Sequence, residues 1–122
     1  PFRILTVSRL AAHDWEKGID HLIEAMPAVR KELPEAHLQI VGEGVDRERL
    51  ENLAQQLPDP SIVQFLGRIK DHDLQRALVS CELFALPSRK EGFGLVYLEA
   101  MAAGKPCIVA NAGGWLTTSP GL

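Results

Sequence analysis

Basic residues are not in excess. Thirteen Lys and Arg stand against sixteen Asp and Glu, a net charge of −3 in a chain of 122 residues. That argues against a general nucleic-acid binder, which needs a basic field. No apolar run approaches the ~18 residues of a membrane helix. The N-terminus, Pro1 to Leu5, opens directly on a strand-like run with no signal-peptide pattern. Cysteine is scarce: Cys81 and Cys107 lie in apolar segments and form no C-x-x-C pair. Buried free thiols in a reducing, cytoplasmic setting are expected. The four histidines show no metal-ligand spacing, and spacing alone places no Ser-His-Asp set. Gly42-Glu43-Gly44 lacks the third glycine of a dinucleotide fingerprint and follows the second strand, not the first, which argues against a nicotinamide site.

What is present is ordinary globular composition, 46% hydrophobic and 24% charged, with no repeat and no linker. One domain over residues 1–122 is expected. Short β-like runs alternate with helical periods. Phe2 to Val7 reads as a strand, and Ile19, Leu22, Ile23, Met26, Val29 and Leu33 then recur at helical spacing. Pro27 interrupts that helix, so a kink or a late start is expected. His37 to Val41 is a second strand, and Leu50, Leu53, Ala54 and Leu57 mark a second helix, stopped at Pro58-Asp59-Pro60. Ile62 to Leu66 is a third strand, Asp71 to about Ser80 a short helix, and Leu83 to Leu86 a fourth strand cut by Pro87. Gly94 to Ala103 is a helix apolar nearly all round and therefore buried, with Gly104 at the C-cap position. Cys107 to Ala110 is a fifth strand; from Trp115 to Leu122 there is no clear period. About five strands joined through helices predict an α/β, Rossmann-like, doubly wound parallel sheet.

In such sheets ligands bind beyond the carboxyl ends of the strands, where the strand order reverses. An order 3-2-1-4-5 puts that point between strands 1 and 4. Arg9 and Lys17 follow strand 1, while Arg89 and Lys90 follow strand 4 within Pro87 to Gly94, so four of thirteen basic residues converge there. Glycines beside a helix N-terminus leave backbone N–H groups open to an anion, which describes a phosphate or diphosphate site. Taken singly, Arg9 and Lys17 read as solvated surface, and Gly92 and Gly94 as a turn. Glu91 and Glu99 lie two helical turns apart, about 12 Å along an axis. Carboxylates there suit the paired hydroxyls of a sugar or ribose; an internal salt bridge to Arg9 or Lys17 is the alternative. Asp71-His72-Asp73 resembles an Asp-x-Asp metal site but reads better as an N-cap at Asp71 with Asp73 favouring the helix dipole.

The run Glu91-Gly92-Phe93-Gly94-Leu95-Val96-Tyr97-Leu98-Glu99-Ala100-Met101-Ala102 resembles the E-x7-E signature of retaining glycosyltransferase family 4, the group 1 glycosyl transferases with the GT-B fold. Ser8-Arg9-Leu10, Lys17-Gly18, Ile40-Val41-Gly42-Glu43-Gly44, Phe65-Leu66-Gly67, Leu86-Pro87-Ser88, Gly104-Lys105-Pro106 and Gly113-Gly114 match in order, so the likeness covers about residues 3–114.

The resemblance implies the C-terminal, donor-binding half of a two-domain enzyme that moves a hexosyl group from a UDP- or GDP-type sugar to an acceptor. It assigns Arg9 and Lys17 to the donor diphosphate, Glu91 to the sugar hydroxyls and Glu99 to the ribose. Backbone groups of Gly92, Phe93, Gly94 and Leu95 would meet sugar and phosphates. Gly42 and Gly44 fall within the donor-binding set, and Gly67-Arg68-Ile69 matches the segment packed on the nucleobase. Glu91, Arg9 and Lys17 are then the catalytic residues, with no metal or other cofactor. Arg9 to Lys17 is longer than the compact family form, Thr117 stands where a glutamate is usual, and a sixth strand, the closing helices and the acceptor-binding domain are absent, so the chain reads as truncated. Self-association of the exposed edge near Val109, Trp115 and Leu116, or marginal stability, is expected, and membrane-surface association only through the missing half. A non-catalytic nucleotide-sugar-binding module, or half of a GT-B-like epimerase or phosphorylase, is the alternative.

Overall fold

A computed structural model describes residues 2–7, 10, 18–86, 102–111 and 114–118. In chain order the elements are β1 (Phe2–Val7), α1 (Gly18–Glu32), β2 (Ala36–Val41), α2 (Arg47–Gln55), a 3-10 turn (Pro60–Ile62), β3 (Val63–Gly67), α3 (Asp71–Ser80), β4 (Leu83–Leu86), β5 (Cys107–Asn111) and β6 (Gly114–Thr118). The strands form one sheet in the order β3-β2-β1-β4-β5-β6. β1 lies parallel between β2 and β4, and β5 is parallel to β4. The strand order therefore reverses between β1 and β4, as the doubly wound reading requires.

Alternating side chains of the strands feed two cores. On one face Ile4, Leu38, Ile40 and Ala85 pack with Ile19, Leu22, Ile23 and Met26 of α1 and with Leu50 and Ala54 of α2. On the other, Leu5, Val41 and Phe84 pack with Leu78, Cys81 and Cys107. Most of the apolar positions that the helical and strand periods single out are among these; Leu33 is not, since it lies past the end of α1 and is exposed. Helix α1 runs unbroken from Gly18 through Pro27, so the expected late start does not occur. A proline inside a helix costs about 3 kcal/mol. Four fully or nearly buried apolar side chains, at about 1.5–3 kcal/mol each, outweigh that.

Two expectations are corrected. Asp71 is the first helical residue of α3, not its cap. Lys70 holds the cap position in extended conformation and makes no side-chain cap bond; Asp71 and Asp73 both lie in the first turn, where the dipole favours them. A sixth strand is present: β6 pairs antiparallel with β5, Cys107 opposite Thr118 and Asn111 opposite Gly114. The edge of β5 that motivated the expected self-association is thus hydrogen-bonded within the chain. The helix read from Gly94 to Ala103 lies outside the described residues except at its end, where Ala102 is helical and Gly104 takes φ +78°, the left-handed conformation of a C-cap glycine. Both cysteines are buried, and neither is in a disulfide. Among the described residues no helix is long and apolar enough to cross a membrane.

Candidate functional site

The carboxyl ends of β1, β2 and β3 are tied together by backbone. The N–H of Gly42, just past β2, donates to the carbonyl of Gly67 at the end of β3 (2.9 Å). The register of this pair skips Leu66, which leaves Gly67 opposite Val41. Gly67 sits at φ +70°, and a Cβ there would meet the Arg47 guanidinium at 3.2 Å and the Glu43 carboxylate at 3.3 Å. Only glycine fits both constraints without strain.

Gly44 is held for a different reason. A Cβ on it would stand 2.1 Å from the carbonyl oxygen of Leu10. Leu10 belongs to the segment after β1. Its N–H donates to the Glu43 carbonyl (3.2 Å), and its own carbonyl accepts from the N–H of Asp46 (2.9 Å). Its side chain is buried in the core beneath α1 and α2. The Gly-x-Gly turn is thus the seat on which the β1 segment rests.

A second set of contacts fixes the start of α1. Arg49 of α2 donates through Nη1 and Nη2 to the two carboxylate oxygens of Asp20 (2.6 and 3.0 Å). It also donates through Nε and Nη2 to those of Asp46 (2.8 and 2.6 Å). Arg49 is 53% exposed, but both carboxylates are only 14% exposed, so this two-sided fork is better sheltered than an ordinary surface pair. By accepting these hydrogen bonds, Asp20 first and then Asp46 raise the guanidinium pKa still further above its ordinary range. Beside it, Arg47 pairs with Glu43 and, at 3.4 Å, with Glu51.

Of the residues expected from sequence to form the site, the structure places four at this end of the sheet. Gly42 and Gly44 follow β2. Exposed Arg68 and half-buried Ile69 follow β3, and Ile69 packs on the second core. Arg9, Lys17, Glu91, Gly92, Phe93, Gly94, Leu95 and Glu99 lie outside the described residues. Their described neighbours are the ends of β1, α1 and β4, which flank the point where the strand order reverses. Sequence reasoning missed the Asp20–Arg49–Asp46 fork. Asp46 and Arg49 at i, i+3 were a local signal, but Asp20 is 29 residues away from Arg49. It also missed Thr6, whose hydroxyl is buried on β1 and has no hydrogen-bond partner among the described residues. Asp71, His72 and Asp73 are all exposed on the first turn of α3.

The sequence matches the family model for glycosyl transferases group 1 over residues 1–118. It is 43% identical over 111 residues to an uncharacterised glycosyltransferase of Methanocaldococcus jannaschii, with 91% of this chain and 27% of that protein covered. It is 42% identical over 105 residues to a GDP-mannose-dependent monoacylated alpha-(1-6)-phosphatidylinositol monomannoside mannosyltransferase of Corynebacterium glutamicum, covering 80% of this chain and 27% of that one. Among solved structures, it resembles the pneumococcal O-GlcNAc transferase in complex with UDP and GlcNAc, with a TM-score of 0.69, 34% identity, and 91% of this chain and 21% of that chain covered. The chain spans 27% of the length of each of these two curated relatives. With nearly its whole length matched by the family model, the chain belongs to the group 1 glycosyl transferases.

Proposed function

We propose that this chain is the donor-binding, C-terminal part of a retaining, nucleotide-sugar-dependent hexosyltransferase of the GT-B type. The observation that carries the reading is the adjacency of β1 and β4 at the reversal of strand order. The segments after those two strands hold Arg9 and Lys17 on one side and Glu91 to Glu99 on the other. In open α/β sheets that crevice is where nucleotides bind. The resemblance of the motifs, and a neighbour solved with UDP and GlcNAc, support the same reading.

The donor then lies along the carboxyl edge of the sheet. β3 is two strands from β1, about 10 Å away, which suits a base near Arg68 and Ile69 and a diphosphate near β1. Arg9, Lys17 and the amides that open α1 neutralise the diphosphate. As the sugar–oxygen bond breaks, negative charge grows on the leaving phosphate, and these groups stabilise it without a divalent ion. The leaving phosphate accepts the proton of the incoming hydroxyl on the same face of the sugar. Glu91 positions the sugar through its hydroxyls and forms no covalent bond; Glu99 accepts from the ribose hydroxyls.

The test is calorimetric titration with UDP, GDP and ADP and with their sugar conjugates, in EDTA and in Mg²⁺. One nucleoside diphosphate is expected to bind, with the same affinity in both buffers. Glu99→Ala should weaken free nucleotide and sugar nucleotide alike. A hydrogen bond to a charged group contributes roughly 1.5–3 kcal/mol, or about 10- to 100-fold in affinity. Glu91→Ala should weaken only the sugar nucleotide. Equal losses for both ligands in Glu91→Ala would remove the sugar-contact role from Glu91.

A further inference from the structure

The segment from Ser8 to Lys17 departs from the end of β1 and ends where α1 begins. Its early part, Leu10, is gripped by the backbone of Glu43 and Asp46 on the floor that Gly44 leaves open. Just beyond its far end, the first turn of α1 is gripped at Asp20 by Arg49. Asp46 belongs to both grips. Its N–H holds the Leu10 carbonyl, and its carboxylate holds the Arg49 guanidinium. One short stretch, Glu43 to Arg49, therefore sets the position of Leu10 relative to the start of α1. Arg9 adjoins Leu10 in sequence, and Lys17 adjoins Gly18.

We propose that Arg49 is a positioning residue for the diphosphate site: by clasping Asp20 to Asp46 it fixes the distance between Leu10 and the start of α1, the two described positions next to Arg9 and Lys17 in sequence. The inference rests on the donor-site reading above. Arg49 itself touches no ligand. Two features make its effect local and substantial. The fork is two-sided, with four hydrogen bonds to two sheltered carboxylates. The guanidinium stands between the two carboxylates and screens each from the other, so its loss loosens the tie between the first turn of α1 and α2. A phosphate site tolerates such a shift poorly, because its strength lies in preorganised donors. Lysine replaces arginine only in part here: its ammonium keeps the charge between the two carboxylates but cannot present a planar fork to both.

The experiment is a coupling cycle read by calorimetry with UDP, GDP and ADP on the full chain, with melting temperature and amide hydrogen exchange measured on every variant. Arg49→Met is expected to weaken the nucleoside diphosphate that binds the unmodified chain by about tenfold, and Arg49→Lys by less. If Arg49 acts by placing Lys17, the losses do not multiply. Lys17→Ala combined with Arg49→Met should then bind within about twofold of Lys17→Ala alone. Hydrogen exchange should quicken over residues 10–22 and not in β3 or α3. Asp20→Asn releases the same clasp from the other side and serves where Arg49→Met fails to fold; the same loss and the same lack of multiplication are expected. The proposal is overturned if both clasp variants bind like the unmodified chain. It is equally overturned if their losses multiply with that of Lys17→Ala, as a general loss of stability would produce. Failure of the underlying reading has a different signature: the unmodified chain binds none of the three nucleotides, and the role assigned to Arg49 falls with it.

Discussion

A carbonyl oxygen 2.1 Å from where a Cβ would stand makes Gly44 hard to replace. The obstacle is backbone, the carbonyl of Leu10, so no side chain can swing aside to relieve it. Forcing extra atoms into packed structure costs about 1–3 kcal/mol. Gly44→Ala is therefore expected to lower the urea midpoint by an amount in that range. It should also loosen the bond that the Leu10 N–H donates to Glu43 and the one that the Leu10 carbonyl accepts from Asp46, seen as faster exchange of the Leu10 and Asp46 amides. A variant as stable as the parent would show that the Leu10 segment yields freely. From sequence the Gly-Glu-Gly run is visible, yet its partner is not. Leu10 is 34 residues away along the chain, and no local pattern marks a backbone-to-backbone contact. The same limit hid the Arg49–Asp20 pair, whereas the Arg47–Glu51 pair is within the i, i+4 rule.

Elements were more legible than contacts, because each described parallel strand is a short stretch rich in apolar residues and stopped by glycine, proline or a polar residue. Helix α1 was legible through Ile19, Leu22, Ile23 and Met26, all buried. β6 was not. Gly-Trp-Leu-Thr-Thr has no clean alternation, but only two residues separate it from β5, the spacing of an antiparallel hairpin. That spacing was the available signal. The junctions α3–β4 and the start of β5 carry the two thiols. Cys81 closes α3 with its N–H on the Ala77 carbonyl (3.0 Å) and its Sγ–H on the Leu78 carbonyl (3.3 Å). Burial raises the thiol pKa of both Cys81 and Cys107, because a thiolate would be desolvated there. The sign follows from linkage: above the ordinary thiol value, about pH 8.5, the unfolded chain loses these protons while the native one keeps them. Stability should therefore fall as pH rises beyond that value. Denaturant melts from pH 7 to 10 on the chain and on Cys81→Ala/Cys107→Ala test this. The slope above the thiol range should shrink in the double variant; an unchanged slope would mean the thiols do not carry it.

At the scale of the whole molecule, the donor-site reading puts an anionic ligand at one end of the sheet, while the chain as a whole is acidic, with a net charge of −3. Binding must then come from placed groups and not from a general attractive field. The order β3-β2-β1-β4-β5 was legible as the doubly wound pattern. The side chains that the donor-site reading puts in the crevice, Arg9, Lys17, Glu91 and Glu99, lie outside the described residues. The chain also spans 27% of the length of two of its curated relatives. Transfer needs more than a held donor. An acceptor hydroxyl must be oriented at the sugar, which supplies a large share of any two-substrate rate enhancement, and water must be kept from the bond that breaks. Every motif in this chain that the donor-site reading uses serves the donor. The expected outcome is that the purified 122-residue chain binds a nucleoside diphosphate and its sugar conjugate yet transfers no sugar to an acceptor. The check pairs calorimetry with a radiolabelled-sugar assay over a panel of glycosyl, lipid and peptide acceptors. Multiple turnovers by this chain alone would show that the residues after β1 and β4 also place the acceptor, and the assignment of this sheet to the donor half would have to be given up.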